Sequence, residues 1–474
     1  MKLRTLAIAI STVTLAACGG GTELEIIEPT TSVPAPIDPI VQSSNELKEL
    51  IRSASPTGSI NAFIMPLSDD YENIPQDPNN AITASKVKLG KLLYHETGLT
   101  GEGKTGSEGT WSCASCHQAK AGFKSGNAQG MGDGGMGFGV AGEMRHVNWD
   151  LEDPSLVDHQ PIASPTVLNV AYQDVMLWNG QFGNAEGSVN NTIDPAVLMT
   201  EGTPKVANAT GYSGVEVQVI AGSGVHRLNI GEGSLLETND QYSQMVAETR
   251  QESEDVREVS LGELAALAIA AFERTVLANE SPFQRWLKGD EAAMSTAQIK
   301  GAKLFFGKAK CSGCHSGPAL SSPIGASESE MFMSVGFADL DAYNAVISEI
   351  AFDDPVRLGR GSITGKEEDN YKFKIPPLYN LVDSDFMGHG NSFNTVRQVV
   401  EYKNAGIPEN PMAENIDPRF VELNLTDDEI NYLVEFLEEG LRDDDLQRYE
   451  PESLPTEKCI INDDMESRID LGCV

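Results

Sequence analysis

Two five-residue stretches carry chemistry that nothing else in the chain offers: Cys113-Ala114-Ser115-Cys116-His117 and Cys311-Ser312-Gly313-Cys314-His315. C-x-x-C-H is the attachment pattern of a c-type haem, in which two thiols bond the porphyrin edge and the imidazole ligates the iron. A zinc site built from paired cysteines has its halves about 15–20 residues apart, whereas these pairs lie in different halves of the chain. A thioredoxin-like C-x-x-C needs no following histidine and sits near a βαβ pattern, which neither copy has. The spacing predicts two haem c groups, held by Cys113, Cys116, Cys311 and Cys314, with His117 and His315 as proximal ligands.

The elements that must position these motifs read as helices. Capping boxes begin at Ser260 with Glu263, Ser295 with Gln298, Thr395 with Gln398 and Thr426 with Glu429, each ahead of an apolar pattern at helical spacing. Leu261, Leu264, Ala268 and Phe272 share one face of such a segment. Ile430, Leu433, Val434, Leu437 and Leu441 make a similar packing stripe near the end. Strand signals are weak. From Gly126 to Gly142 eight of seventeen residues are glycine, which suits either close backbone approach to a flat cofactor or a mobile surface loop. The fold class expected is mainly α, two cytochrome c-like haem domains with long Gly-rich loops. The expected divisions are a signal peptide over 1–17, a leash over 18–45, haem domains over 46–260 and 261–450, and a tail over 451–474.

Met1-Lys2-Leu3-Arg4 and the apolar run to Ala17 have the regions of an export signal and are too short to be kept as a spanning helix. Leu15-Ala16-Ala17-Cys18 resembles a bacterial lipobox, which implies cleavage before Cys18 and lipidation of its thiol; ordinary signal cleavage nearby is the alternative. Either way the reading is an exported, periplasmic protein, tethered to a membrane in the first case. The Gly-, Pro-, Thr- and Ser-rich segment that follows reads as a flexible spacer. Cys459 and Cys473 remain, and an oxidising compartment favours a disulfide between them over two free thiols. A formal charge of −36 excludes nucleic acid as a natural partner, since such binding rests on Lys and Arg neutralising phosphates. It suits solubility, or the steering of a small basic electron carrier.

The collinear set Leu89-Gly90-Lys91-Leu92-Leu93-Tyr94, Ser164-Pro165-Thr166-Val167-Leu168-Asn169, Leu177-Trp178-Asn179-Gly180-Gln181, Ala270-Ala271-Phe272-Glu273-Arg274-Thr275 and Phe373-Lys374-Ile375-Pro376-Pro377-Leu378-Tyr379-Asn380, threaded between the two haem motifs, resembles the bacterial dihaem cytochrome c peroxidase family. The likeness runs from about Ile74 to about Leu441. It implies reduction of hydrogen peroxide to water at the N-terminal haem. Electrons would come from a small cytochrome c or cupredoxin through the C-terminal haem, in a homodimer. Some family relatives instead use a tyrosine ligand to oxidise tryptophan in a partner protein, so a dihaem oxidase of a protein or small organic substrate is the alternative. A non-enzymatic dihaem electron carrier is a third reading.

Carried over residue by residue, the resemblance makes Met387 the first choice for the second ligand of the C-terminal haem, with Tyr402 or Lys403 as alternatives. Trp178 matches the tryptophan between the haems, where an aromatic ring relays electrons. Asn169 matches a residue of an inter-domain calcium site whose other positions fall near Asp383 and Asp385. The pocket acid/base that moves a proton between peroxide oxygens is displaced by an apparent insertion from Phe182 to Gly214. His226 is the preferred candidate, Glu201 the alternative, and His146 and His159 are further candidates for a displaceable ligand.

Overall fold

Glycine stands where the two principal helix pairs cross, and the architecture follows from those crossings. In the computed structural model, residues 39–474 are described apart from 102, 184–207, 209, 323–324, 341–354 and 474; Cys18 and Glu201 thus lie outside the described residues. The helices that position the sites are α1 (Pro39–Ala54), α2 (Ala84–His95), α3 (Gly214–Val225), α4 (Leu261–Thr275), α5 (Thr296–Phe306), α6 (Val396–Ala405) and α7 (Asp427–Glu435). Helix α2 packs along α4, which also receives α3; α5 packs along α7, which also receives α6. A Cβ on Gly90 of α2 would sit 1.9 Å from the Ala268 carbonyl oxygen, and one on Gly301 of α5 would sit 1.9 Å from that of Tyr432. Backbones this close leave no room for a side chain.

The same plan is thus built twice. After His117 the chain folds back through a Gln118–Lys124 bridge, and after His315 through a Ser316–Ser321 bridge. Asn169 and Asn380 both take left-handed backbone, φ 63° and 54°, before a short 3-10 turn. Met176 then bridges Phe182 and Met387 bridges Phe393. In this repeat Trp178 and His389, each two residues past the methionine, are equivalent positions.

Mainly helical character agrees with the sequence expectation, and strands are confined among the described residues to two short antiparallel pairs. Gly135 pairs with Val147 in one, and Met333 with Phe373 in the other. Three of the four capping boxes form in both directions, at Ser295, Thr395 and Thr426. At Ser260 the hydroxyl caps the Glu263 N–H, but the Glu263 carboxylate instead accepts from the Tyr212 hydroxyl at 2.8 Å.

The boundaries differ from the sequence reading in three places. The spacer ends earlier than residue 45, because α1 starts at Pro39 and buries Leu47 and Ile51. Helix α4, assigned to the second domain, completes the first module: it lies along α2, and its Arg274 makes a buried bidentate pair with Glu216 of α3 at 2.8 and 2.6 Å. Residues 40–474 also form one compact unit rather than separable domains.

The tail closed by the Cys459–Cys473 disulfide returns to the first module. The Ile461 carbonyl accepts from the Ser112 and Ser115 hydroxyls at 2.9 and 3.0 Å, and Asp470 accepts from the Phe138 and Gly139 N–H groups at 2.9 and 2.8 Å. It therefore pins both the first haem motif and the Gly-rich segment.

Because the helices meet backbone to backbone, Gly90→Val or Gly301→Val is expected to lower the unfolding free energy of the haem-loaded protein by about 1–3 kcal/mol. Gly231→Ala, where a Cβ meets open space, should change it by less than about 1 kcal/mol. Denaturant titration followed by haem absorbance checks both; a Gly90→Val protein as stable as the parent contradicts the crossing argument.

Candidate functional site

Each C-x-x-C-H closes into one 3-10 turn, Cys113–Ser115 and Cys311–Gly313, with the histidine N–H bonded back to the first cysteine carbonyl at 3.1 and 2.9 Å. One turn thereby carries two thiols and an imidazole. Tyr94 of α2 fixes the first turn by donating to the His117 carbonyl at 2.7 Å. Burial pushes the thiols of Cys113, Cys116 and Cys311 up to about 12 and holds His117 and His315 down at about 4. Neutral imidazole is the form that ligates a metal. At His315 the Leu320 carbonyl lies 2.9 Å from Nδ1; a proton on Nδ1 leaves the Nε2 lone pair free for iron. At His117 burial is opposed by the Phe123 and Pro165 carbonyls near the ring, while the buried Nδ1 itself has no partner in full hydrogen-bond geometry. The Gly-rich segment packs directly on this turn, since a Cβ on Gly130 would meet Cys116 Sγ at 2.8 Å.

Cys311, Cys314 and His315 open into an internal cavity of about 290 Å³. Its walls are mainly apolar, and its charged residues are Lys124, Lys310, Lys374, Lys403 and Arg419; no described aspartate or glutamate lines it. A flat, largely apolar group bearing carboxylates fits such a cavity, and haem is one. Met387 and Trp178 line it, as the sequence reading requires of a distal ligand and a relay. The two alternatives separate here. Tyr402 is absent from the lining residues; its hydroxyl donates to the Val335 carbonyl at 2.5 Å and accepts from the Glu409 N–H at 3.4 Å. Lys403 lines the cavity with its ammonium 4.9 Å from the Phe337 ring centre and 5.0 Å from that of Phe420.

At the first turn, His226 ends α3 with its Nδ1 3.3 Å from Asp158, and its charge is one of the influences that lower His117. Arg227, in left-handed backbone, reaches Asp133 at 3.0 Å and Asp158 at 3.5 Å. Burial alone would raise Asp158, but the His226 hydrogen bond and the charges of His226, Arg227 and Lys104 hold it below the usual carboxylate range. A half-exposed imidazole oriented by a carboxylate is an arrangement that can pass protons. His146 and His159 are not brought into this network. His146 is half-exposed, 3.6 Å from Glu466 of the tail, and His159 is bonded to the Val157 carbonyl at 3.1 Å.

Trp178 donates its indole N–H to the Ala163 carbonyl at 2.9 Å, and the Ala163 N–H donates to the His389 carbonyl at 2.9 Å. Its ring meets His389 edge-on at 6.4 Å, and His389 lies flat against Phe373 with Nε2 3.2 Å from Asp339. Asn169 is wholly buried and works as a brace: Oδ1 accepts from the Ala278 N–H, and its own N–H reaches the Val276 carbonyl. Asp383 pairs with Arg442 and Asn380, and the Asp385 carbonyl accepts from Asn394. Among the described residues no three or more His, Cys, Asp or Glu side chains form a metal-holding group. Sequence reasoning missed Asp158, although it singled out the adjacent His159, and missed Lys124 and Lys374 as cavity residues, whose neighbours are far away in sequence.

The family profile described as di-haem cytochrome c peroxidase matches residues 84–292. That span starts at the first residue of α2 and ends just before α5, which is the extent of the first module. The chain is 27% identical over 387 residues to a cytochrome-c peroxidase, IdrP1, of Denitromonas iodatirespirans, covering 77% of this chain and 84% of that one. It is also 27% identical over 247 residues to the methylamine utilization protein MauG of Methylorubrum extorquens, covering 52% and 53%. A solved MauG-like protein associated with microbial copper homeostasis shares the fold at a TM-score of 0.50 and 21% identity, over 81% of this chain and 95% of that one. A di-haem family of this kind implies two c-type haems, which the two motifs and their neutral imidazoles fit. Over residues 84–292 the chain matches the di-haem cytochrome c peroxidase family, and over longer stretches it resembles proteins named cytochrome-c peroxidase and MauG.

Proposed function

We propose that the protein reduces hydrogen peroxide at the site carrying His117, with electrons received at the site carrying His315 and relayed past Trp178. The overall change is one peroxide, two electrons and two protons giving two waters. When bound, haem supplies the redox-active iron; the protein's task is to place protons, exclude competing ligands and fix the route. The observation that carries this reading is the His226–Asp158 pair beside His117. His226 is half-exposed, so peroxide and protons can reach it from solvent, while Asp158 orients the ring and offsets its charge when it is protonated. Trp178 supports the route, since it lines the second cavity while its indole N–H is bonded to Ala163, two residues from Pro165 near the His117 ring.

The donor in this reading is a small periplasmic redox protein, with cytochrome c or cupredoxin as the classes, drawn to a strongly acidic chain. Export and a lipid anchor at Cys18 belong to the same proposal and place the enzyme where such donors circulate. His226→Gln is expected to lower kcat for peroxide by about 10²–10⁴-fold with both haems still attached; Asp158→Asn should fall between. Steady-state assays with a reduced cytochrome check this, and an unchanged kcat for His226→Gln sinks the proton-transfer role.

The second reading, a dihaem oxidase, turns on the second haem's distal ligand. Met387 lines the cavity and Tyr402 does not. Met387→Ala should therefore abolish a low-spin methionine-ligated signature, while Tyr402→Phe leaves it intact. A parent spectrum that lacks the methionine signature and changes in Tyr402→Phe but not in Met387→Ala favours the oxidase.

A further inference from the structure

Four of the five charged residues of the second cavity, all but Lys310 next to Cys311, fall into two sets that haem attachment alone does not explain. Lys403 and Arg419 act electrostatically on Cys314, and Lys403 also acts on Cys311 and His315. They mark the edge at which the thioether bonds form. Lys124 and Lys374 line the same cavity. Their ammonium groups reach only neutral acceptors: Lys124 donates to the Phe386 carbonyl and Lys374 to the Gln173 side chain. No carboxylate acts on either, and burial alone brings Lys124 down to about 8 and Lys374 to about 7.

In a chain of net charge −36, two ammonium groups facing a cavity lined by no described acid are placed to receive an anionic occupant, which would keep them charged. A c-type haem is chemically asymmetric. One edge carries the thioether links, and the opposite edge carries two propionates. With the thiols at the Lys403 and Arg419 edge, the anionic edge falls towards the other cations.

We propose that Lys124 and Lys374 are the counter-cations of the propionates on the haem attached at Cys311 and Cys314. Lys374 brings the pairing next to Trp178, whose carbonyl accepts the Lys374 N–H at 2.8 Å. Lys124 comes from the fold-back that follows His117, through its bridge to Gln118. One propionate contact thus reaches from the second haem to the backbone that carries the first haem's ligand, and loading of the second site tightens the first module. Both lysines are positioning residues; they set the charge around the haem rather than touch peroxide.

The proposal rests on haem attachment at the second motif and not on peroxide turnover. The test uses the haem-loaded full chain. Peptide mass mapping first establishes haem on the Cys311–His315 peptide; a bare peptide in the parent protein overturns this proposal together with the haem assignment. Potentiometric titration of the second haem is then repeated across roughly pH 6–8, and infrared difference spectra on reduction follow the propionate carboxyl bands.

Lys374→Gln and Lys124→Gln should each lower the midpoint potential, because a lost cation favours the more positive ferric state. Each should also make the potential fall with rising pH, as an unpaired propionate takes up a proton on reduction. Lys374→Arg should restore the parent's potential and its pH profile. Where Lys374→Gln fails to load haem, Lys124→Gln carries the same test. Loaded Gln variants whose potential, pH profile and carboxyl bands match the parent overturn the pairing.

Discussion

A helix crossing that tolerates no side chain is the constraint on which the rest of this molecule depends. Gly90 lets α2 settle onto the backbone of α4, and Gly301 lets α5 settle onto α7. Each crossing fixes the helix that runs into a haem motif against the helix that closes the module. The loop between them must then return over the motif, and it does so through an asparagine in left-handed backbone and a methionine–phenylalanine bridge in both copies. A turn that carries two thiols and one imidazole becomes a site only because those surroundings are held at fixed distance.

The two modules share that scaffold and differ in what fills it. Where the first places Trp178, the second places His389, and the two rings meet edge-on between the modules. The first site keeps a half-exposed imidazole tied to a carboxylate beside its ligand. The second is walled by apolar side chains and cations. In the proposed function, access for a small polar substrate and enclosure for an electron-carrying group are opposite demands on burial, and one chain would then have reason to hold two versions of one fold. The disulfide-closed tail adds its restraint to the first version, where Asp470 accepts from the Phe138 and Gly139 N–H groups of the Gly-rich segment.

Much of this was legible in the residues, and the limits have physical causes. The haem motifs, the helical segments and their caps are local patterns, so sequence spacing revealed them. Met387 and Trp178 were reached through resemblance and do line the second cavity. The assignment of α4 to the second half failed because an amphipathic stripe says that a helix is packed, not which partner it meets; Arg274 finding Glu216 across the fold decides that. The early start of α1 was hidden by a polar, Pro-rich approach that resembles a spacer. Asp158, Lys124 and Lys374 escaped notice because their meaning depends on neighbours brought together only by folding. Tyr402 looked available in sequence and is occupied by backbone partners in space.

The central claim is that each module carries one covalently attached haem on its own C-x-x-C-H turn. Peptide mass mapping of protein matured in a host competent for cytochrome c assembly tests it most directly. The account predicts one haem on the peptide spanning Cys113–His117 and one on the peptide spanning Cys311–His315. Either peptide found wholly without haem would contradict it.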